Sequence, residues 1–259
     1  MKTQIEALGQ STLRGLLQVG RFPVLLFSIC SHGLSNLRNF PHIVREIYYF
    51  GVSSLSIVVF CSLFIGLVLG LQAYHSLIAF RAEASLGALV GISILREIGP
   101  VLSAILFASS TGSAMTSEIA LLKTTEQLDA LEVMGIDPLE RIIGPRFWAG
   151  FFSMPCLAMI GNAAAIFGAY SIAVLFYHLD ANTFWESMNQ AISISNEILG
   201  ALIKSTIFGV FIVMIAIYNG LNAKPTASGS LKATNQTVVW SSVGILGIDF
   251  VLTVFLFMG

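Results

Sequence analysis

Long apolar stretches separated by short polar segments form the dominant pattern of this chain. Residues 47–80 contain no Asp, Glu, Lys or Arg, and a membrane-spanning helix needs only about 20 such residues. Four further apolar stretches repeat the pattern. Together they predict five spans, at residues 47–80, 86–108, 147–177, 199–218 and 238–258. Residues 219–236, which are rich in Asn, Ser, Thr and Gly, are predicted to be a connector.

The most charged segment joins the second and third predicted spans, and we call residues 117–146 the insert. It carries nine charged residues, out of 13 basic and 14 acidic residues in the whole chain. Apolar residues recur within it at helical spacing: Leu121, Leu128, Leu131 and Met134. This pattern predicts an amphipathic helix over residues 124–134, which Gly135 ends and Pro138 keeps from resuming. Such a helix either fits a groove on a soluble partner or is a solvated helix between spans.

The composition agrees with the pattern of spans. Of the 259 residues, 56% are hydrophobic and 10% are charged, whereas soluble domains contain about 25% charged residues. The sequence therefore predicts an all-α integral membrane protein that forms a single domain, residues 1–259. A net charge of −1 gives no indication of nucleic-acid binding.

The N-terminal region, residues 1–45, contains five of the 13 basic residues. One helical stripe contains Leu13, Leu16, Leu17 and Val24, whereas Arg14, Gln18 and Arg21 lie off it, which is typical of a helix lying in the membrane interface. A cleaved signal peptide is the competing interpretation. Arg21 and Pro23 interrupt the apolar run that a signal peptide requires, so an uncleaved interfacial helix is favoured.

The distribution of basic residues predicts the orientation. With a cytoplasmic N-terminus, the cytoplasmic segments hold ten Lys and Arg residues, whereas the external segments hold only Arg81. Cytoplasmic loops of membrane proteins are enriched in Lys and Arg. The N-terminus and the insert are therefore predicted to be cytoplasmic.

Four charged residues fall inside the predicted spans: Arg96, Glu97, Lys204 and Asp249. A charge at the centre of a membrane helix costs about 2.5–3.5 kcal/mol on insertion scales, so such residues face a cavity or one another. Neighbouring helical residues point about 100° apart, so one of Arg96 and Glu97 can face a cavity while the other pairs elsewhere; we hypothesise that Glu97 pairs with Lys204. A salt bridge that only fixes helix register is the alternative. Asp249 is a further intramembrane acid. Either it has a functional role, or it is hydrogen-bonded to a Ser or Thr of a neighbouring helix.

The sequence lacks the motifs of common catalytic and metal sites. It contains no GxxxxGK[ST] phosphate-binding loop, no HExxH and no GxSxG, and its four histidines are isolated. We therefore predict no catalytic residue and no metal site, and any ATP that drives the protein is bound by another chain. A membrane enzyme that uses Glu97 or Asp249 on lipid, and an ion-coupled carrier, are the alternative functions.

One run of residues resembles a known family. Residues 126–138, EQLDALEVMGIDP, are preceded by GSAM at 112–115 and by Glu118, and are followed by Pro145-Arg146. This combination resembles the signature of the MlaE family of ABC-transporter permeases, and the similarity extends over essentially the whole chain. Three positions differ, because the family usually has Gly, Arg and Gly where this chain has Ser109, Ser110 and Ala120.

The resemblance implies a function and a set of partners. The chain would be the permease subunit of a phospholipid transporter in the inner membrane of a Gram-negative bacterium, moving lipid between that membrane and the outer membrane and maintaining outer-membrane lipid asymmetry. Two copies of the chain would pair with each other, and each would offer its helix over residues 124–134 to one cytoplasmic ATPase subunit. A periplasmic MCE-domain protein and a STAS-domain protein on the ATPase would be further partners. This chain would hold no cofactor, because ATP and Mg would be bound by the ATPase.

The resemblance also implies roles for individual residues. Arg96, Glu97 and Lys204 would lie close to a central lipid cavity. Apolar contacts to the acyl chains would come from Leu69, Tyr74, Leu77, Phe80 and Ile98. Coupling to the ATPase would involve Glu126, Gln127, Leu128, Leu131, Met134, Asp137 and Pro138.

Overall fold

The computed structural model describes residues 40–193 and 197–257, and these ranges contain helices and no β-strand. Five helices are long and apolar enough to cross a membrane: α1 (Pro41–Ile78), α2 (Glu83–Thr124), α4 (Leu139–Phe176), α6 (Leu199–Leu221) and α7 (Ala227–Phe257). Two shorter helices are α3 (Gln127–Val133) and α5 (Ala181–Ala191). Each of the five predicted spans thus corresponds to a helix that is long and apolar enough to cross a membrane. The predicted interfacial helix falls within residues 1–45, of which residues 1–39 lie outside the described part.

Helix α2 is longer than a bilayer requires. Its 42 residues correspond to about 63 Å at 1.5 Å per residue, roughly twice the hydrocarbon thickness. The second predicted span, residues 86–108, is therefore only the apolar part of a helix that continues into the insert. The same holds for α4, which begins at Leu139 within the insert.

Small residues bring α1 and α4 into backbone contact. The buried face of α1 repeats about every four residues: Ser54, Val58, Ser62, Gly66, Gly70 and Ala73. A Cβ atom added to Gly66 would lie 1.9 Å from the carbonyl oxygen of Ala165, and one added to Gly168 would lie 2.3 Å from that of Leu63. The glycines are therefore required for this close helix approach, as in other membrane proteins.

The end of the bundle opposite the insert is covered by α5. Phe184 and Met188 on α5 are buried in a cluster that includes Leu86 and Ile94 of α2. The helix begins at Asp180, whose carboxylate accepts a hydrogen bond from the Thr183 N–H at 3.0 Å. This N-cap stabilises the start of a helix that the hydropathy pattern did not predict.

The prediction of one helix over residues 124–134 is wrong about where that helix begins. Helix α2 ends at Thr124, and Glu126 has a left-handed backbone with φ of +55° before α3 begins. The hydroxyls of Thr124 and Thr125 bond to the carbonyls of Ala120 and Leu121 four residues earlier. Threonine hydroxyls compete with helix continuation in this way, so the chain breaks where the apolar spacing alone predicted continuity.

The connector predicted over residues 219–236 is shorter in the structure. Helix α7 begins at Ala227, so only residues 222–226 separate it from α6. The Thr226 hydroxyl accepts a hydrogen bond from the Gly229 N–H at 3.1 Å and acts as an N-cap. Polar residues outside the apolar region therefore extend the fifth span as a helix.

Candidate functional site

A lysine with no exposed side-chain surface lies where α2, α6 and α7 meet. The Lys204 ammonium donates to Asp249 Oδ1 at 2.9 Å, to Thr253 Oγ1 at 2.6 Å and to the Arg96 carbonyl oxygen at 2.7 Å. These three acceptors match the three N–H donors of an ammonium group. The charge is therefore held by groups of two other helices, as an intramembrane cation must be.

Glu97 completes this cluster from α2. Its Oε1 lies 3.5 Å from Lys204 Nζ and accepts a hydrogen bond at 3.0 Å from the hydroxyl of Thr253. The predicted Glu97–Lys204 contact is thus present, although Asp249 is the closer carboxylate. We call Glu97, Lys204, Asp249 and Thr253 the charge cluster; it contains one cation and two carboxylates.

Arg96 contacts a different residue, Glu197. Its Nη2 lies 2.6 Å from Glu197 Oε1, and the other carboxylate oxygen accepts from the N–H and hydroxyl of Ser193. Burial raises the pKa of Glu197, but the hydrogen bonds from Arg96 and Ser193 outweigh this and hold the pKa below its usual value. The sequence analysis missed Glu197 because it precedes the fourth span by two residues and was assigned to no site.

A local feature of the α2 backbone accompanies the different directions of Arg96 and Glu97. Residues Ile94–Ile98 form a π-helical turn, and Gly99 and Pro100 follow it. A π turn contains an extra residue relative to an α turn and is frequent at functional sites. Arg96 and Glu97 both lie on this turn, one directed to Glu197 and the other to Thr253.

The five apolar residues predicted to contact lipid do not form one surface. Leu69, Tyr74 and Leu77 are half-buried and pack against the cluster around Leu86, whereas Phe80 is 82% exposed at the end of α1. Ile98 is half-buried on α2. Their role toward lipid stays a prediction.

Leu69 borders a cavity between α1 and α2. The cavity has a volume of about 200 Å³ and is lined also by Gln72, Ser76, Leu89 and Ser93. Tyr74 has another environment, because its ring stacks on Tyr177 of α4 with centroids 3.8 Å apart. Leu69 thus lies at a cavity, whereas Tyr74 packs against another aromatic ring.

The seven predicted coupling residues divide into two groups. Leu128 and Pro138 are buried and Leu131 is half-buried, so these side chains hold the insert against the bundle. The exposed members are Glu126, Gln127, Met134 and Asp137. The Asp137 carboxylate accepts a hydrogen bond from the Leu139 N–H at 2.9 Å, at the start of α4.

Two exposed apolar residues of the insert were missed by the sequence analysis. Val133 is 89% exposed and Ile136 is 41% exposed, and between them Met134 is 64% exposed. Val133 lies off the leucine stripe that predicted the helix, so helical spacing gave no signal for it. We call these three residues the apolar tip; Leu121, near the end of α2, is a further exposed apolar side chain of the insert, at 60%.

Two of the positions that differ from the usual family residues have local roles. The Ser110 hydroxyl bonds to that of Ser54 at 2.7 Å, and Ser54 also bonds to Thr111 at 2.6 Å, so these residues join α1 to α2. Ala120 of α2 is buried against Ala223 and Ala233, at the start of α7.

No group of three His, Cys, Asp or Glu suited to a metal ion occurs within residues 40–193 and 197–257.

Comparison with known proteins identifies the family. The family model Permease MlaE matches residues 43–255. The intermembrane phospholipid transport system permease protein MlaE of Haemophilus influenzae is 45% identical over 98% of this chain and 97% of its own length. Probable ABC transporter permease proteins of Rickettsia typhi and Rickettsia prowazekii are 33% and 32% identical, over 96% and 95% of this chain and 96% and 94% of their own lengths. The chain therefore belongs to the MlaE permease family.

Proposed function

We propose that this chain is the permease subunit of an ATP-driven transporter that moves phospholipid between the inner and outer membranes of a Gram-negative bacterium. This activity would maintain the lipid asymmetry of the outer membrane. The proposal is supported by the name of the Haemophilus influenzae relative, an intermembrane phospholipid transport permease that aligns over nearly the whole chain. The Rickettsia relatives are named as probable ABC transporter permeases.

The observation that carries the proposal is the apolar tip. Val133 and Met134 are 89% and 64% exposed, yet they lie between acidic residues in the most charged part of the chain. Isolated apolar side chains at this exposure are unfavourable in water, and a short amphipathic helix fits a groove on a partner. We infer that α3 and the apolar tip dock into a cytoplasmic ATPase.

The orientation of the chain follows from this docking. The insert must lie in the cytoplasm to meet an ATPase, and the distribution of basic residues independently favours that side. The N-terminus would then also be cytoplasmic, and α5 would face the periplasm. We expect a second copy of the chain in the transporter, an MCE-domain protein at the periplasmic side and a STAS-domain protein on the ATPase.

The charge cluster provides a polar site within the membrane that suits a lipid headgroup passing through. Lys204 carries positive charge deep in the bundle, and Glu97 retains 41% of its side-chain surface. A phosphate passing along α2 would meet Lys204 only by displacing a carboxylate. ATP-driven closure of the ATPase would move the insert and change the packing of α2 against α6 and α7.

The experiment that tests this function is purification of the tagged protein from its own membranes in mild detergent. We expect stoichiometric recovery of an ATPase, together with bound phospholipid identified by mass spectrometry. Recovery of a single polypeptide with neither component would contradict the proposal.

A further inference from the structure

A nearly buried arginine lies at the junction of three spans and has no role in the charge cluster. Arg146 is 9% exposed and lies in the first turns of α4, at the end of the insert. Its Nη2 lies 3.1 Å from Glu118 Oε2 on α2, and its Nε lies 4.0 Å from Glu46 Oε2 on α1. One cation is thus shared by carboxylates of two other helices.

The two carboxylates are engaged unequally. Glu118 accepts a hydrogen bond, whereas Glu46 is about 1 Å beyond hydrogen-bond distance. Arg146 Nε and Nη1 are buried and have no hydrogen-bond acceptor among residues 40–193 and 197–257. A guanidinium binds most strongly when its fork engages acceptors at several nitrogens, and buried unpaired donors are unfavourable. A small approach of α1 would therefore give Nε an acceptor in Glu46.

The connection between α3 and the start of α4, which carries Arg146, is short: it consists of residues 134–138. Pro138 is buried and is followed by the π-helical turn Leu139–Ile143, after which Gly144 begins the α-helical part of α4. Leu128 is buried on the inner face of α3. Displacement of α3 therefore reaches the start of α4, where Arg146 lies, over this short connection.

We propose that Arg146 is a positioning residue that transmits movement of the insert to α1: its Nη2 stays bonded to Glu118 while its Nε moves into hydrogen-bond distance of Glu46. In the arrangement described here Glu118 holds the guanidinium. Displacement of the start of α4 brings the guanidinium into hydrogen-bond distance of Glu46 and draws α1 along. This inference rests on the proposed function, because it concerns how partner movement reaches the lipid-facing helices.

Glu46→Gln is the most informative variant, because it leaves the Arg146–Glu118 hydrogen bond in place. The protein would be reconstituted with its cognate ATPase in phospholipid vesicles, and lipid moved and ATP hydrolysed would be measured together. We expect Glu46→Gln to retain the melting temperature and the ATPase rate but to move about fivefold less lipid per ATP, the lower range of typical coupling effects. Arg146→Lys should show the same uncoupling, because lysine keeps the charge but loses the fork.

The matched control is Glu186→Gln on α5, whose carboxylate is exposed and bonds to Gln190 of its own helix. This variant should transport as the wild type does. Wild-type lipid movement per ATP in Glu46→Gln would overturn the role of Arg146 and leave the proposed function standing. Absence of ATP-dependent lipid movement in the wild type would overturn both.

Discussion

Lys204 Nζ donates a hydrogen bond to the carbonyl oxygen of Arg96 at 2.7 Å. In a regular α-helix that carbonyl would accept from the N–H of residue 100, but residue 100 is proline and has none. The lysine of α6 thus supplies a donor to a carbonyl that Pro100 cannot satisfy, while its charge is balanced by Asp249. This hydrogen bond connects the π-helical turn of α2 to the charge cluster.

Removal of the lysine charge is expected to destabilise the bundle. In Lys204→Met, Asp249 and Glu97 lose their shared cation, and removing one partner of a buried ion pair costs about 3–5 kcal/mol. The measurement is thermal unfolding in detergent. The double variant Lys204→Met/Asp249→Asn should recover part of the loss, since it removes the unpaired carboxylate; an equal or larger loss would contradict the pairing.

The two carboxylates of the charge cluster are expected to differ in importance for stability. Asp249 lies 2.9 Å from Lys204 and is 14% exposed at its side chain, whereas Glu97 lies at 3.5 Å and is 41% exposed. Exposed pairs contribute about 1 kcal/mol or less. Asp249→Asn should therefore lower the melting temperature more than Glu97→Gln. The reverse order would show that Glu97 is the main partner.

Glycine at position 66 is expected to be essential for packing, because a Cβ there would lie 1.9 Å from the Ala165 carbonyl oxygen. Gly66→Ala should destabilise the protein by about 1–3 kcal/mol, the usual cost of overpacking. Gly247→Ala is the matched control, since a Cβ at Gly247 meets no atom within 4 Å. If both variants unfold at the same temperature, α1 and α4 do not pack as described.

Acid is expected to weaken the contact between Arg96 and Glu197. Burial raises the Glu197 pKa, but the hydrogen bonds from Arg96 and Ser193 bring the pKa below its usual value. A carboxyl whose pKa is lowered on folding stabilises the protein above its unfolded pKa of about 4.3. It loses that contribution as the pH falls through the folded pKa.

The measurement for this contact is the melting temperature of the wild type and of Glu197→Gln, followed from about pH 6 to about pH 3. The wild type should lose more stability over this range, because the variant has no carboxyl to protonate at this position. Parallel curves for the two proteins would show that Glu197 contributes no pH dependence.

The apolar tip is expected to be required for ATPase binding. Val133→Asp places a charge on a side chain that is 89% exposed, so folding and membrane insertion should be unaffected while the ATPase is lost on co-purification. Val133→Leu, which keeps the apolar surface, is the control. Leu131 is a poorer probe because it is half-buried. Normal ATPase recovery with Val133→Asp would refute docking at this surface.

Much of the fold was predictable because apolar length alone identifies membrane-spanning helices. The pairing of Glu97 with Lys204 was also predictable, since intramembrane charges require partners. The ends of helices were not, because the break at Thr125 and Glu126 and the start of α7 depend on side-chain hydrogen bonds of threonines. Hydropathy does not detect such local bonds.

The partners of Arg96 and Arg146 could not be predicted for a different reason. Arg96 contacts Glu197, which is 101 residues away in sequence, and Arg146 contacts carboxylates of two other spans. These contacts depend on how the helices are arranged in three dimensions, and a single sequence contains no direct signal of that arrangement. The exposure of Val133 likewise follows from the break before α3.

The most direct test of the central claim is lipid movement by the wild-type protein reconstituted with its ATPase in vesicles containing labelled phospholipid. We predict transfer of chemically unchanged phospholipid to an acceptor that requires ATP hydrolysis and stops with a non-hydrolysable analogue. Chemical modification of the lipid without ATP, or movement that follows the membrane potential after ATP depletion, would contradict the account and indicate an enzyme or an ion-coupled carrier.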